Sequence, residues 1–292
     1  MIRKLGLFGL GEVGAILAED LGRSSDEIAA WDVQFSDPDS TPSRNASATT
    51  VRICEDAAGA ARGAQLIISA VTAAQTENVA REAAAAIGPG SFFLDLNSAS
   101  PSAKRRAADT INGAGGRYIE AAVMSPFAPK RCASPVLLGG PHAGAFLPLA
   151  RELGFLGARV FSPTYGQASA AKLCRSVMVK GIEALLTESL LSARHYGVEE
   201  TVLASLDDLF PGQGWKDLSR YMISRTLEHG GRRAEEMREA ANTVEEAGVQ
   251  PWLSTAIAAR QDWASQFKPA LEAATLPELL DAIRQLMDAR AT

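Results

Sequence analysis

Two sets of residues in this chain have the types and spacing to do chemistry. The first is Gly9-Leu10-Gly11-Glu12-Val13-Gly14, a G-x-G-x-x-G pattern between the apolar run Ile2–Phe8 and the helix-forming Ala15–Leu21. Glycine permits a tight turn at the first position, a close backbone approach to a pyrophosphate at the second, and close helix–strand packing at the third. The free N–H groups of the helix start then face the phosphates. Further on, the run Ile28–Trp31 ends in Asp32. A carboxylate there is placed to accept from both hydroxyls of a ribose and to repel a 2′-phosphate, which favours NAD over NADP. The alternative is a glycine-rich turn with a structural role alone.

The second set is Lys172, Ser176, Lys180, Glu183 and Thr187, on the helix-forming stretch Gln167–Tyr196. At the helical period these residues fall within an arc of about 80°, a polar stripe on an otherwise apolar helix. Burying such a stripe is costly unless its charges are partnered. Lys180 and Glu183 either pair with each other on a face turned to solvent, or Lys180 meets a substrate. Lys172 differs, because it sits at the start of the helix, the end abutting the nucleotide-binding part. From there an ammonium can reach a hydroxyl or carbonyl beside a nicotinamide.

The elements needed to position these groups are legible as a change of pattern along the chain. Strands are expected at Ile2–Phe8, Ile28–Val33, Thr50–Ile53, Leu66–Val71, Phe92–Asn97, Tyr118–Val123, Pro135–Gly139 and Arg159–Phe161. Alanine-rich helical segments such as Ala74–Ile87 and Ser102–Ala114 lie between them. This alternation predicts an α/β fold, a Rossmann-type doubly wound and mainly parallel sheet over residues 1–163. Ligands of such sheets bind past the carboxyl ends of the strands, which singles out Val71-Thr72, Asn97-Ser98 and Met124-Ser125. Asp37–Ser47, rich in Ser, Pro, Asp and Asn, reads as a loop. Residues 164–292 read as an all-α domain that begins with the long interdomain helix. It continues through Glu199–Leu209, Trp215–His229, Arg232–Ala247 and a set from Pro251 onward, with Gly230-Gly231 as a break.

Composition excludes several classes. With 47% hydrophobic and 22% charged residues over 292 positions, the chain can bury a sizeable core. A net charge of −5 without any basic block argues against nucleic acid as a partner. No apolar run is long enough to span a membrane. Cys54, Cys132 and Cys174 fit neither a disulfide framework nor a metal knuckle, which implies a reducing, cytoplasmic setting. His142, His195 and His229 have no metal spacing, so no metal is expected. Trp215, Tyr221, Trp252 and Trp263 read as core or dimer-interface residues, with a wall of the substrate site as the alternative.

Four segments carry a resemblance that covers nearly the whole chain. Gly9–Gly14 is similar to a GLGxMG cofactor turn, with Val13 in place of Met. Asp95–Pro101 stands where D-x-S-T-x-x-P lies beside a nicotinamide, and Glu120–Pro126 where D-A-P-V-S-G-G binds substrate. Gly166–Ser176 matches G-x-G-x-x-x-K-x-x-x-N. In these the sequence resembles the β-hydroxyacid dehydrogenases, the group of 3-hydroxyisobutyrate and 6-phosphogluconate dehydrogenases, in a branch with a divergent helical C-terminal domain. The resemblance implies Lys172 as the catalytic lysine, aided by Ser98 and Ser176. It implies cofactor contacts from Gly9–Gly14, Asp32, Val71, Thr72 and Asn97, and substrate contacts from Met124, Ser125, Lys180 and Arg233 or Arg232, the alternative for the arginines being a charged helix face paired with Glu235, Glu236 and Glu239. It further implies a homodimer formed through the helical domain. Ser176 replaces the usual Asn, and Met124-Ser125-Pro126 replaces Ser-Gly-Gly. These departures argue against a plain small 3-hydroxy acid and for a bulkier or less anionic hydroxy acid or alcohol. Imine reduction, oxidative decarboxylation and nucleotide sensing without turnover remain alternatives.

Overall fold

Runs such as Leu5–Phe8 and Leu66–Ile68 are continuously apolar, the pattern of strands covered on both faces. In the computed structural model, which describes residues 2–291, both runs are fully buried in one eight-stranded sheet. Its strands are β1 (Lys4–Phe8), β2 (Glu27–Trp31), β3 (Arg52–Ile53), β4 (Leu66–Ser69), β5 (Phe92–Asp95), β6 (Arg117–Val123), β7 (Val136–Gly139) and β8 (Ala158–Ser162). Their order is β3-β2-β1-β4-β5-β6-β7-β8. The first six are mutually parallel, β7 is antiparallel to β6, and β8 follows β7 in parallel. This is the expected mainly parallel α/β sheet. All eight expected strands are present, with ends shifted by a residue or two. One face of the sheet packs Leu5, Leu7, Ile68, Leu94 and Ile119, and the other packs Phe8, Ile67, Phe93 and Tyr118.

The helices between strands are α1 (Glu12–Leu21), α2 (Thr41–Ser47), α3 (Ala57–Ala61), α4 (Thr76–Ala84), α5 (Pro101–Gly113) and α6 (Ala143–Glu152). Helix α2 corrects the expectation of a loop over Asp37–Ser47. The Ser40 hydroxyl accepts from the Ser43 N–H at 3.2 Å and Pro42 sits in the first turn, an N-terminal signal embedded among turn-forming residues.

After β8 the described residues hold helices only: α7 (Gln167–Tyr196), α8 (Glu199–Leu209), α9 (Trp215–Glu246), α10 (Trp252–Ala264) and α11 (Leu276–Ala291), with a 3-10 segment over Ser265–Glu272. The chain divides into two compact units, Met1–Lys172 and Leu173–Thr292, so that α7 belongs to the first through Lys172 and to the second thereafter. The expected break at Gly230-Gly231 is absent, and α9 runs straight through it. Gly230 is small for packing rather than for turning. A Cβ there would lie 2.3 Å from the Gln261 carbonyl oxygen of α10, so this glycine lets the two helices approach closely. Among the described residues no helix is long and apolar enough to cross a membrane.

Candidate active site

The glycine turn is built as its spacing demands. Gly9 ends β1 at φ +87°, a conformation that favours glycine, and its N–H donates to the Trp31 carbonyl at 2.9 Å. A Cβ on Gly14 would stand 1.9 Å from the Gly9 carbonyl oxygen, so helix α1 can press against the turn only with glycine there. Around Gly11 a Cβ would meet nothing within 4 Å, which leaves space for a ligand where α1 begins. Glu12 is exposed, Val13 half-buried, and Leu10 buried in the core. These features fit a dinucleotide whose pyrophosphate lies over the helix start.

Asp32, at the end of β2, closes the turn from the side. Its Oδ2 accepts from the Leu10 N–H at 2.8 Å and its Oδ1 from the Gln34 N–H at 2.9 Å. The Leu10 amide is thereby used by the protein, while each carboxylate oxygen keeps a lone pair for a ribose hydroxyl. Asn45 of α2 adds a contact that sequence reasoning missed, donating from Nδ2 to the Leu10 carbonyl at 2.8 Å. Its signal was present in the capped start of α2.

At the ends of β4 and β5 one side chain ties the strands together. Asn97 Oδ1 accepts from the Val71 N–H at 2.8 Å and its Nδ2 donates to Ser69 Oγ at 3.0 Å, so its amide braces the edge on which Val71 and Ser98 stand. Thr72 is exposed beyond it. Ser98 follows directly, and Lys172 Nζ donates to Ser98 Oγ at 2.6 Å. Two residues separated by 74 positions therefore meet past the carboxyl end of the sheet. Past β6, Met124 is half-buried and packs against a small apolar cluster of Ala122, Leu137 and Ala168, the last on the first turn of α7. The Ser125 hydroxyl donates to the Pro126 carbonyl at 3.2 Å.

The rest of the polar stripe is organised inside the second unit. Ser176 Oγ donates to Glu236 Oε1 at 2.6 Å and accepts from Lys180 Nζ at 3.2 Å, while Lys180 Nζ lies 2.9 Å from the same carboxylate oxygen. Arg233 pairs with both oxygens of Glu183, and Gln261 Nε2 donates to Glu183 Oε2 at 2.9 Å. A solvent-facing Lys180–Glu183 pair is thus corrected on both counts. Lys180 is 8% exposed and Glu183 1%, and α9 supplies each with an opposite charge, which makes their burial tolerable. Arg233 likewise turns to α7 rather than to the acids of its own helix, while Arg232 is exposed.

The remaining candidates lie elsewhere. His229 is half-buried beside Glu228 at 3.2 Å, and burial, then the Arg225 charge, holds its pKa below the usual value. His142 precedes α6, and His195 meets Arg284 at 3.0 Å. Trp215 and Trp263 pack against the core of the helical unit, whereas Tyr221 and Trp252 are exposed. Among the described residues no group of three or more His, Cys, Asp or Glu is placed to hold a metal ion.

Comparison with known proteins places this arrangement. Residues 4–161 match the NAD binding domain of 6-phosphogluconate dehydrogenase, which covers the whole sheet to within a residue of its end. The chain belongs to the β-hydroxyacid dehydrogenase superfamily. Residues 193–264, from the end of α7 through α10, match a domain of unknown function (DUF1932), the divergent helical part of this superfamily member. A conserved hypothetical protein from Sinorhizobium meliloti is 34% identical, with 98% of this chain and 97% of that one covered and a TM-score of 0.76. A conserved protein of unknown function, described as structurally similar to 3-hydroxyacid dehydrogenases, is 27% identical over 93% of this chain and 100% of its own, with a TM-score of 0.69. The 3-hydroxyisobutyrate dehydrogenase of Mycobacterium tuberculosis, solved with L-serine, shares the fold at 19% identity and a TM-score of 0.71, with 98% and 99% of the two chains covered.

Proposed function

We propose that this superfamily member is an NAD-dependent oxidoreductase that moves hydride between the nicotinamide and the carbinol carbon of a hydroxy acid or related alcohol. The observation that carries the reading is the 2.6 Å contact between Lys172 Nζ and Ser98 Oγ, on the same sheet edge as the glycine turn. Residues 1–163 serve as the nucleotide domain and 164–292 as the substrate and dimerisation domain. When bound, the nicotinamide supplies or accepts the hydride. Lys172 then holds the substrate oxygen, giving it a proton in reduction and relieving the hydroxyl of one in oxidation. Negative charge builds on that oxygen during hydride attack, and a fixed ammonium stabilises it. Ser98 orients the ammonium, and Ser176 stands one turn along the same helix. Met124 and Ser125 border the substrate, and Met124 presents an apolar side chain that suits a bulkier or less anionic group than a small 3-hydroxy acid carries.

Asp32 supports NAD over NADP. A carboxylate about 4 Å from a 2′-phosphate is repelled by several kcal/mol at an effective dielectric constant of 20. NADH is therefore expected to bind at least about tenfold tighter than NADPH, a difference of 1.4 kcal/mol, in a fluorescence titration. Equal or tighter NADPH binding refutes the assignment. The reaction itself is tested by NAD(H) absorbance against 3-hydroxy acids of increasing side-chain size, with cyclic imines as a second panel. Turnover of imines alone turns the reading to imine reduction. Carbon dioxide released with NADH indicates decarboxylation, and cofactor binding without turnover of either panel indicates a sensor.

Pairing as a homodimer through the helical unit belongs to the same proposal. Met178 and Leu185, seven residues apart on α7, are 66% and 70% exposed and give that helix an unpartnered apolar face. Sedimentation at twice the chain mass is expected, and Leu185→Glu is expected to shift it toward the monomer. A wild-type monomer at micromolar concentration removes the dimer.

A further inference from the structure

We infer that Glu120 is a positioning residue for Lys172: a buried carboxylate on β6 that receives the first turn of α7 and so fixes where the lysine stands over Ser98. The inference rests on reading Lys172 as the proton-handling group.

A helix start leaves its first N–H groups without intrahelical partners, and the usual remedy is a Ser, Thr, Asp or Asn side chain just before the helix. The residue before α7 is Gly166, which has none to offer. It cannot readily be replaced, since it sits at φ +91° and a Cβ there would lie 2.7 Å from Arg105 Nη1 and 3.0 Å from Pro101 Cβ. The acceptor comes instead from a strand 46 residues earlier. Glu120 Oε2 accepts from the Gly166 N–H and Oε1 from the Ser169 N–H, each at 2.6 Å, and the Glu120 residue is 0% exposed. Both bonds are charge-assisted, and the carboxylate lies at the positive end of a 30-residue helix.

The surroundings are shaped to keep that carboxylate in place. Gly139 faces Glu120 across the β6–β7 pair, and a Cβ on it would come within 2.7 Å of Glu120 Oε2. Tyr165 adds a third tie between the approach to α7 and β6, donating from its hydroxyl to the Tyr118 carbonyl at 3.0 Å. Lys172 follows Ser169 by three residues, a rise of about 4.5 Å along the helix. Ser98 is carried on the end of β5, the strand paired with β6 in register at Asp95 and Glu120. The same sheet edge thus holds both ends of the Lys172–Ser98 contact, one through the chain of β5 and the other through the Glu120 cap. A lysine side chain is long and flexible, so without the cap its ammonium is no longer fixed against Ser98 Oγ.

The test reads the position of Lys172 without needing a substrate. The full-length protein is treated with a limiting amine-reactive acylating reagent, and the rate at each lysine is followed by mass spectrometry. Ser98→Ala gives the rate for a Lys172 that has lost its Ser98 contact, and the exposed Lys130 and Lys216 serve as internal references. Glu120→Gln keeps the shape but sets an amide NH2 against an N–H, and is expected to raise the Lys172 rate three- to tenfold, approaching that of Ser98→Ala. Gly139→Ala, which keeps the carboxylate but crowds it, is expected to give a smaller rise in the same direction, and it carries the test should Glu120→Gln not fold. A Lys172 rate unchanged from wild type overturns the inference, as does an equal rise at Lys130 and Lys216, which would mean general loosening. Failure of the protein to turn over any hydroxy acid leaves this measurement intact, so the two readings fall separately.

Discussion

Lys172→Ala is expected to lower turnover by about two to four orders of magnitude, the range for a positioned acid–base group, while leaving the NADH dissociation constant within threefold of wild type. The split follows from the geometry. The residues proposed to hold the cofactor, Gly9, Gly11, Gly14 and Asp32, are fixed by β1, β2 and α1, and none depends on the lysine. Lys172 meets Ser98 at 2.6 Å past the carboxyl end of β5, and the half-buried lysine can be shortened without emptying a core. Ser98→Ala removes one partner of a charge-assisted hydrogen bond and is expected to cost about tenfold or somewhat more in turnover. Lys172→Arg keeps the charge, but a guanidinium stays protonated in proteins and cannot pass a proton to or from the substrate, so it should resemble alanine in turnover and the wild type in stability. Steady-state kinetics with the best substrate of the panel, alongside NADH titration, decide the matter. An alanine variant within threefold of wild-type turnover removes Lys172 from the mechanism.

What was legible in the sequence were features carried by local pattern. The apolar runs and their alternation with alanine-rich segments are enough to locate eight strands, because a parallel sheet covered on both faces demands such runs. Gly9, Gly11 and Gly14 are legible because their spacing reflects a local turn. What escaped were pairings between distant segments. Nothing near Glu120 in the chain announces that it will cap a helix beginning 47 residues later. Nothing near Lys180 or Glu183 shows that α9 will bring Glu236 and Arg233 against them, so their mutual spacing suggested a pair that does not form. Gly230 misled for a related reason. Glycine marks a break when the backbone must turn and a close contact when another helix must approach, and only the neighbour, Gln261 of α10, distinguishes the two.

A pair that sequence reasoning passed over governs the second large effect. Lys104 of α5 and Asp95 of β5 are both 0% exposed, with Nζ 2.8 Å from Oδ1. Asp95 also accepts from the Tyr118 hydroxyl at 2.5 Å and from the Asn97 N–H at 2.9 Å. Burial first, and then the Asp95 charge, pushes the Tyr118 hydroxyl far above the usual phenol range, so it stays a donor. Asp95→Leu leaves a buried ammonium facing only a backbone carbonyl, and is expected to destabilise the sheet unit by about 3–5 kcal/mol. That corresponds to a melting temperature lower by on the order of 10 °C for a unit of this size. The double variant Asp95→Leu/Lys104→Met replaces the ion pair by apolar groups, and should recover most of that loss. Turnover should not recover with it, because the Asn97 N–H and the Tyr118 hydroxyl still lack their acceptor, and Asn97 braces the strand end that carries Ser98. Thermal melts and kinetics on the two variants separate these effects. A double variant no more stable than Asp95→Leu would show that the charge of Asp95 is needed for more than neutralising Lys104. One that regains full turnover would show that Asn97 holds its place without Asp95.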